Sequence, residues 1–509
     1  MIQRIFRVTD APYSARGDGR ADDTGAIQRA VDAARRAGGG TVLFPRGTYL
    51  VTTVHVAHGM TLQGEAGAVL RRPARPPRAS GAAETRIVEA RKWMRMLSTE
   101  RDAWDGAGDS PPLVVRGLTL DGNRGAQGAH GQYQLQQAHL LFLTARPRRP
   151  GRLRAVVENC HFRDSPADGV SVYTNCSVRV ADCTAADCFR GVVVVTGGHT
   201  QVQMQRVRTT GAGLPTGIDV EVDGAGHGRS LRCEVTAEDL DLDGGFDVNA
   251  SAGSVFRGAR ITSRYPFFFV AARGGTVEVR DSSFTVGELS DQVNRIVWPH
   301  RVTFTRCAFH VSEAAGRGEA NRTFAALHVY FNISGTHERA QRLRLVDCNF
   351  AVHPSVEAGD TVYAVYTQHD HPGQDNVIAI QGGNIGSGFD QRFHLGSGGT
   401  LIVDGVERRA QADLPAPGQR FRGISRLAEG PAAASVTVDE SHLAAAFASP
   451  SLRRLGGWTI VGDHPPERRA VPGRAGDRFR VRDGGAEWEC SLGDAVAATW
   501  RRRPGQGHA

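Results

Sequence analysis

Apolar and polar residues alternate in many short stretches along the chain, and glycine, asparagine or aspartate usually separates one stretch from the next. Alternation with a period of two is typical of β-strands that bury one face. One early stretch instead places apolar residues at the spacing of a helix face, at Ile27, Ala30, Val31 and Ala34. The pattern predicts an all-β protein with one N-terminal helix near residues 24–37, which Asp22 or Asp23 can cap.

A short motif, here called the phrase, consists of a strand followed by Asn, Asp or Arg and then by Cys or Ser. The phrase recurs at 157–162, 180–183, 279–284, 304–309 and 345–350. Cys160 and Cys183 are 23 positions apart, Ser282 and Cys307 are 25 apart, and Cys307 and Cys348 are 41 apart. Such a period, with insertions, is typical of the coils of a solenoid. Because four of the eight cysteines fill the same position of the phrase, we expect them to be buried, reduced and stacked inside the coils.

Residues 17–50 read GDGRADDTGAIQRAVDAARRAGGGTVLFPRGTYL. This string resembles the first segment of the pectate-lyase-like superfamily, which includes polygalacturonases, rhamnogalacturonases, epimerases and phage tailspikes. The resemblance implies a right-handed parallel β-helix. It does not select a function, because the superfamily contains hydrolases, lyases, epimerases and non-catalytic binders.

We therefore predict four segments. Residues 1–60 form an N-terminal cap, 61–409 the parallel β-helix, 410–455 a linker and trailing segment, and 456–509 a small C-terminal β module. Each coil of a solenoid packs only on its neighbours, so a chain of 509 residues does not need one large spherical core.

Composition narrows the function classes. No apolar run is long enough for a transmembrane helix, and no apolar stretch follows the first charged residues, so neither a membrane span nor a secretory signal peptide is predicted. A cytoplasmic location and a non-classical or phage-like export route both stay open. The formal charge is +8, and only Lys92 is a lysine, so 61 − 1 leaves 60 arginines. This charge fits either a solvated surface or a preference for acidic polymers, and no nucleic-acid motif accompanies it.

Four strings led by glycine mark a second strand in successive coils, at 169–173, 191–195, 217–221 and 245–249. The first and third residues after each glycine are apolar, so we expect them to point inward and the second and fourth to point outward. The second positions are Ser171, Val193, Asp219 and Asp247, and the fourth positions are Tyr173, Val195, Glu221 and Asn249. Asp219 and Asp247 are thus expected on adjacent strands, about 4.8 Å apart.

These carboxylates are the candidate catalytic residues. Like charges this close favour a state that keeps one proton, as general acid catalysis requires, so Asp219, Asp247 and Glu221 predict a glycoside hydrolase acting on a polysaccharide. The resemblance implies the same, since polygalacturonase-like hydrolases use aspartates on successive coils. The histidine and Arg-Ile-Lys signatures of polygalacturonases do not occur at matching places. Solvated surface charges or a cation site are the alternative interpretations of the same residues.

The candidate substrate-binding residues are Arg190, Tyr173, Asp168, Asn249 and His199. Arg190 suits a substrate carboxylate or a surface salt bridge with Asp168, and Tyr173 suits a sugar face. Further histidines and tyrosines crowd the later coils, at His328, Tyr330, Tyr363, Tyr366, His369 and His371.

A hydrolase of this kind needs no cofactor, and we predict no metal ligands. One alternative is a lyase or epimerase acting on acidic sugars, for which Ca²⁺ is a possible cofactor. The other is a non-catalytic, tailspike-like glycan-binding protein, which could be a homotrimer.

Overall fold

The computed structural model divides into two compact units, unit 1 (Met1–Thr285) and unit 2 (Val286–Ala509). The structure describes the following residues: 4–74, 95–102, 104, 106, 110–127, 138–146, 151–189, 191–210, 216–221, 232–243, 245–250, 253–264, 267–271, 274–286, 294–297, 299–311, 323–330, 341–352, 361–368, 376–386, 389, 391–394, 399–403, 406–409, 436–439, 458–462, 478–481, 487–492 and 499–502.

The described residues of unit 1 form short strands, one α-helix, α1 (Thr24–Arg36), and one 3-10 turn (Arg124–Ala126). Its strands are β1 Ile5–Arg7, β2 Asp18–Asp22, β3 Gly40–Phe44, β4 Gly47–Leu50, β5 Val54–His55, β6 Met60–Gly64, β7 Ala68–Arg71, β8 Arg95–Ser98, β9 Leu113–Arg116, β10 Thr119–Asp121, β11 His139–Leu143, β12 Leu153–Glu158, β13 His161–Arg163, β14 Val170–Val172, β15 Cys176–Ala186, β16 Val193–Val195, β17 Gln201–Thr210, β18 Thr216–Glu221, β19 Glu234–Leu242, β20 Gly245–Asn249, β21 Val255–Ser263, β22 Phe267–Val270, β23 Thr276–Arg280 and β24 Ser283–Val286.

Unit 2 continues the numbering. Its strands are β25 Arg295–Val297, β26 Arg301–Thr305, β27 Ala308–Val311, β28 Thr323–Tyr330, β29 Arg342–Val346, β30 Asn349–Val352, β31 Thr361–Gln368, β32 Asn376–Gln381, β33 Asn384–Ile385, β34 Gln391–His394, β35 Gly399–Val403, β36 Val406–Arg409, β37 Val436–Asp439, β38 Trp458–Gly462, β39 Arg478–Val481, β40 Glu487–Leu492 and β41 Thr499–Arg502.

The strands of each unit are divided between two sheets, one narrow and one broad. In unit 1 a narrow sheet takes one strand from each coil, namely β5, β8, β11, β14, β16, β18, β20 and β22, and a broad sheet takes the others. Neighbouring strands in both sheets pair in parallel. In unit 2 the narrow sheet comprises β25, β28, β31 and β34. Parallel strands stacked coil upon coil confirm the predicted right-handed parallel β-helix.

Helix α1 ends one residue before its predicted limit and packs against β1, β3 and β5. Asp22 Oδ1 accepts the backbone N–H of Thr24, the first helical residue, at 2.9 Å. The Asp23 carboxylate points away from the helix, since it accepts the N–H groups of Arg16 at 2.7 Å and Gly17 at 3.1 Å. Asp22 therefore serves the helix start, whereas Asp23 holds the preceding loop. That α1 caps the coils remains a prediction.

The recurring phrase forms a corner in which one residue adopts the left-handed conformation, and other coils form the same corner without the phrase. In unit 1 this residue is Asn159, Asp182, Arg206, Asp239, Arg260 or Asp281, with φ between 52° and 57°. Non-glycine residues rarely adopt this conformation, and Asn and Asp tolerate it best. Bidentate ion pairs join successive corners, with Nε–Oδ1 distances of 2.5 Å from Arg206 to Asp182 and from Arg260 to Asp239. The acids and bases at this corner are thus paired with each other.

The position after the corner is buried, as predicted. Cys160, Cys183, Cys307 and Cys348 are buried and form no disulfide. Cys183 Sγ lies 3.2 Å from the carbonyl oxygen of Ala181 and 3.7 Å from that of Val157 in the preceding coil. These cysteines therefore act as small interior residues whose thiols donate to the backbone of the coil.

At the end of unit 2 the pairing changes. β35 pairs antiparallel with β36, and β36 pairs antiparallel with β37. The predicted strand signals near 458, 478 and 487 correspond to β38, β39 and β40. β37 lies inside the predicted linker and also pairs with β38, so residues 436–439 of that segment belong to a strand pair. The four segment boundaries themselves stay predictions.

None of the helices in the described part of the chain is sufficiently long and apolar to span a membrane.

Candidate active site

Asp219 and Asp247 lie directly beside one another on β18 and β20 of unit 1. The strand register pairs their Cα atoms, and it pairs Glu221 with Asn249 in the same way. The predicted adjacency of the carboxylates is therefore confirmed. We call these four residues, Asp219, Asp247, Glu221 and Asn249, the acidic patch.

The four residues of the acidic patch differ in how far they are buried. Glu221 is exposed, whereas Asp247 and Asn249 are partly exposed. Asp219 has only 5% of its surface exposed, and its Oδ1 atom is shielded from solvent. The two acids of the pair therefore occupy different environments, so they are not equivalent solvated surface charges.

The predicted outward row was wrong at one coil, the coil that contains β16. Val194 is the residue that pairs with Ser171 on one side and with Asp219 on the other. Val193 pairs instead with Val170 and Ile218, and Val193 and Val195 therefore belong to the inward set. Residues 192–195 are four consecutive valines, so they carry no alternation from which the strand face can be read.

An aromatic cluster lies on β11 and β14, before the acidic patch in coil order. Tyr173 follows β14 and is 41% exposed, and its ring centroid lies 5.9 Å from that of Phe142. The guanidinium carbon of Arg95 lies 3.7 Å from the centroid of the Phe142 ring, a cation–π contact. The predicted sugar platform at Tyr173 thus has two partners that sequence reasoning missed. Phe142 was hidden because β11 is apolar at nearly every position.

Spacing along the sheet relates the cluster to the acids. β16 is the single strand between β14 and β18, so Tyr173 and the acidic patch are separated by two ladder steps, or about 10 Å. Val194, the outward residue on β16 between them, is buried. This part of the outward face is therefore covered.

His55 occupies the first position of the same outward row, beside Ser98. Burial lowers the pKa of His55, and the nearby charge of Arg101 lowers that pKa further. The environment of His55 therefore favours its neutral form. No sequence motif marks this position, because β5 has only two residues.

Asp168 is not the surface residue that we expected. It is fully buried, and its Oδ2 atom lies 2.7 Å from Nδ1 of His139, which is also buried. The expected surface salt bridge with Arg190 needed an exposed Asp168, and Arg190 lies outside the described residues. His139 is 29 positions away in sequence, so no local pattern indicated this pair. A buried polar side chain requires a partner, and His139 lies close enough to supply one.

His199 lies in an exposed loop, where its backbone bonds to neighbouring arginines. Its N–H donates to the carbonyl of Arg232 at 2.9 Å, and its carbonyl accepts from Nε of Arg152 at 2.8 Å. The structure therefore places the His199 ring at the surface, and its contact with substrate stays a prediction.

Within the described residues, no group of three or more His, Cys, Asp and Glu side chains is arranged to hold a metal ion. This includes the three carboxylates of the acidic patch, which were the ligands suggested for Ca²⁺. His369 and His371 lie outside the described residues.

Comparison with known protein families gives a match in the N-terminal part of the chain. Residues 5–90 match the family described as rhamnogalacturonase A/epimerase, pectate lyase-like. The resemblance noted for residues 17–50 is thereby confirmed. The match ends well before the acidic patch, so it supports the fold of the first coils and assigns no role to Asp219 or Asp247.

Several proteins of Azotobacter vinelandii share short stretches with the chain. Alginate lyase 7 is 60% identical over 40 residues, which are 8% of this chain and 5% of that protein. Mannuronan C5-epimerase AlgE4 is 33% identical over 114 residues, which are 22% of this chain and 19% of that protein. The matches thus span less than one fifth of these two relatives.

Solved structures show broader but weaker likeness. The A-module of mannuronan C-5 epimerase AlgE6 from Azotobacter vinelandii is 18% identical, with a TM-score of 0.48, over 78% of this chain and 99% of that one. A tailspike protein of the Escherichia coli bacteriophage HK620, in complex with a pentasaccharide, is 12% identical, with a TM-score of 0.46, over 78% and 74%.

Proposed function

We propose that this protein is a carbohydrate-active enzyme that cleaves a polysaccharide by hydrolysis at the acidic patch. The observation that carries the proposal is the register of Asp219 with Asp247, one nearly buried and the other partly exposed. Pairs of carboxyl groups in unlike environments are the usual acid–base equipment of glycoside hydrolases.

The two acids take different roles in this proposal. Two ionised carboxylates on adjacent strands repel each other, so the pair favours a state that holds one proton. Asp219, the more buried acid, donates that proton to the glycosidic oxygen as the bond from that oxygen to the anomeric carbon breaks. Asp247 removes a proton from the attacking water, whose oxygen bonds to the anomeric carbon. Glu221 and Asn249 border the pair and are proposed to bind sugar hydroxyls.

The aromatic cluster supplies a place for the sugar chain to bind. Tyr173 presents exposed ring surface and is backed by the buried ring of Phe142, and sugars have apolar faces that pack on such rings. Because the cluster lies about 10 Å from the acidic patch along the sheet, one extended oligosaccharide can reach both. Tyr173 is therefore a proposed binding residue and not a catalytic one.

A lyase or epimerase acting on acidic sugars is the second candidate. The short matches to an alginate lyase and to mannuronan epimerases favour it, and so does the net charge of +8. In a lyase, a base removes the proton from the carbon that bears the carboxylate, and the bond to the leaving oxygen breaks as a carbon–carbon double bond forms. The substrate carboxylate must then be neutralised, a task that either an arginine or Ca²⁺ can perform.

The products separate these functions. The purified protein is incubated with a panel of neutral and acidic polysaccharides, and the Asp219→Asn/Asp247→Asn double variant serves as the control for contaminating activity. New reducing ends without ultraviolet absorbance support hydrolysis. Ultraviolet-absorbing unsaturated ends indicate a lyase, and altered sugar stereochemistry without cleavage indicates an epimerase. Retention of a glycan with no product from any polymer would refute the enzyme proposal and favour a binding protein.

A further inference from the structure

Unit 2 carries a different row of side chains on its own narrow sheet. Arg295 on β25 pairs in register with His328 on β28, and His328 pairs with Tyr366 on β31. All three are partly exposed. Their strand neighbours Ile296 and Leu327 are fully buried. Since side chains alternate along a strand, Arg295, His328 and Tyr366 point outward together. We call them the basic row.

The rings of the basic row are held in a defined arrangement. The centroids of His328 and Tyr366 are 5.0 Å apart with their planes at 86°, an edge-to-face contact. Tyr363 packs against Tyr366 in a similar way, at 5.2 Å and 63°, and Tyr363 is itself buried. Tyr366 is therefore fixed between two rings, which lowers the entropy lost when a ligand binds.

The strands of this narrow sheet lack acidic side chains. None of the strands β25, β28, β31 and β34 contains an aspartate or glutamate in its sequence. His394 on β34 occupies the next register position after Tyr366. A row that offers a guanidinium, an imidazole and a phenol, on strands without acids, suits an anionic ligand that also has a flat face.

We propose that the basic row binds a carboxylated sugar unit of an acidic polysaccharide. The Arg295 guanidinium matches a carboxylate with two parallel N–H donors, and the rings of His328 and Tyr366 offer a surface for the sugar. The proposal rests on the proposed action on polysaccharides and names their class, a polyuronate. It also places a binding site outside the acidic patch.

Binding of a defined oligouronate tests this site. Affinity is measured by calorimetry on the Asp219→Asn/Asp247→Asn protein, so that turnover does not interfere. A carboxyl-reduced oligosaccharide of the same length is the ligand control. Arg295→Gln removes the charge from the row, and Arg301→Gln, at an exposed position on β26, is the matched protein control. Circular dichroism melting checks the fold of each variant.

We expect Arg295→Gln to weaken oligouronate binding by about 10- to 100-fold, as for loss of a hydrogen bond to a charged group. Arg295→Lys keeps the charge without the planar fork and should give an intermediate loss, so it tests the site even if Arg295→Gln does not fold. Tyr366→Phe keeps the ring and should have a smaller effect. Arg301→Gln should leave affinity unchanged.

Three results would overturn the proposal: an equal loss in Arg301→Gln, equally tight binding of the carboxyl-reduced ligand, or full competition by inorganic phosphate. The first would indicate diffuse attraction to a basic protein, and the other two would indicate that no carboxylated sugar is recognised. Neither this binding measurement nor its failure depends on whether the wild-type protein turns over a glycan, so the two proposals fail separately.

Discussion

The narrow sheets of the two units resemble one another inside and differ outside. In unit 1, β18 and β20 present Asp219, Asp247 and Glu221 and contain no basic residue, whereas in unit 2, β25 and β28 present Arg295 and His328 and contain no acidic residue. Among the described residues, inward positions of both sheets, such as Ile218 and Phe246 in unit 1 and Ile296 and Leu327 in unit 2, are apolar and fully buried. Since the interior stabilises each coil, the outward positions are free to vary. The same type of sheet therefore presents acidic side chains in unit 1 and basic side chains in unit 2.

The largest expected effect is on the catalytic turnover that we assign to the acidic patch. Asp219→Asn and Asp247→Asn should each lower the turnover of a cleaved polysaccharide by about 10²- to 10⁴-fold, the usual value of general acid–base help. Asn keeps the shape of Asp, so glycan affinity should stay close to that of the wild type.

Two controls accompany this measurement. Ser171→Ala alters the same outward row without touching a carboxylate, and Asp241→Asn alters a carboxylate of β19 on the broad sheet. Both should retain near-normal turnover. Full activity in both Asn variants of the acidic patch would place the active site elsewhere.

Phe246 and Asp247 are adjacent residues that point to opposite faces of β20. Phe246 is fully buried and packs edge-to-face on Phe256 and Phe269, with centroid distances of 5.1 Å and 5.2 Å. We expect Phe246→Ala to lower the free energy of unfolding by about 3–5 kcal/mol, because it leaves a cavity. Asp247→Asn should change it by less than about 0.5 kcal/mol. Denaturant titration of both variants measures the contrast, and equal destabilisation would contradict the division between interior and outward positions.

Tyr173 should affect binding more than chemistry. Tyr173→Ala is expected to raise KM by about 3- to 10-fold, the value of one aromatic contact, with kcat less affected. Ile5 is the matched control, because it is the other large apolar side chain that is exposed in the described part of the chain, and Ile5→Ala should leave KM unchanged. A fall in kcat alone would argue against a platform at Tyr173.

The pH dependence of stability should report on the ion pairs of the corners, whose charges are opposite, in contrast to the like charges of the acidic patch. The hydrogen-bonded guanidinium of Arg206 lowers the pKa of Asp182, and that of Arg260 lowers the pKa of Asp239, both from an ordinary value of 3.8. A lowered folded-state pKa contributes stability that is present above the unfolded value and lost as the pH falls below it.

These carboxylates are exposed, so the effect is small. Arg206→Gln and Arg260→Gln should slightly reduce stability at pH 7 and narrow the difference in stability between pH 7 and pH 3. Thermal melts at the two pH values measure this difference. An unchanged pH dependence in both variants would show that these ion pairs contribute nothing measurable.

Sequence reasoning succeeded where side chains alternate. Asp219 and Asp247 could be aligned because apolar residues flank each of them, so that the parity of both strands was visible. The reasoning failed at residues 192–195, where every residue is valine and both faces look alike. It also could not show that Asp168 is buried against His139, because the spacing of those residues depends on how a whole coil closes.

The corner of the broad sheet shows the same limit. The cysteine and serine members of the phrase revealed the repeat, but Arg206, Asp239 and Arg260 occupy the same left-handed position without that phrase. Their backbone conformation follows from stacking on neighbouring coils, which imposes one geometry on residues of different type. The charge pairing between corners was therefore invisible until the register was known.

By itself the sequence determined the class of fold, the strand faces wherever polarity alternates, and the adjacency of the two aspartates, because these depend on local periodicity and on a regular coil length. Only the tertiary structure decided which outward positions are covered, which charges are paired, and which distant residues share a row, such as Arg295, His328 and Tyr366. Those features depend on inserted segments of unequal length between strands, and the ladder spacing brings their ends together regardless of how many residues intervene.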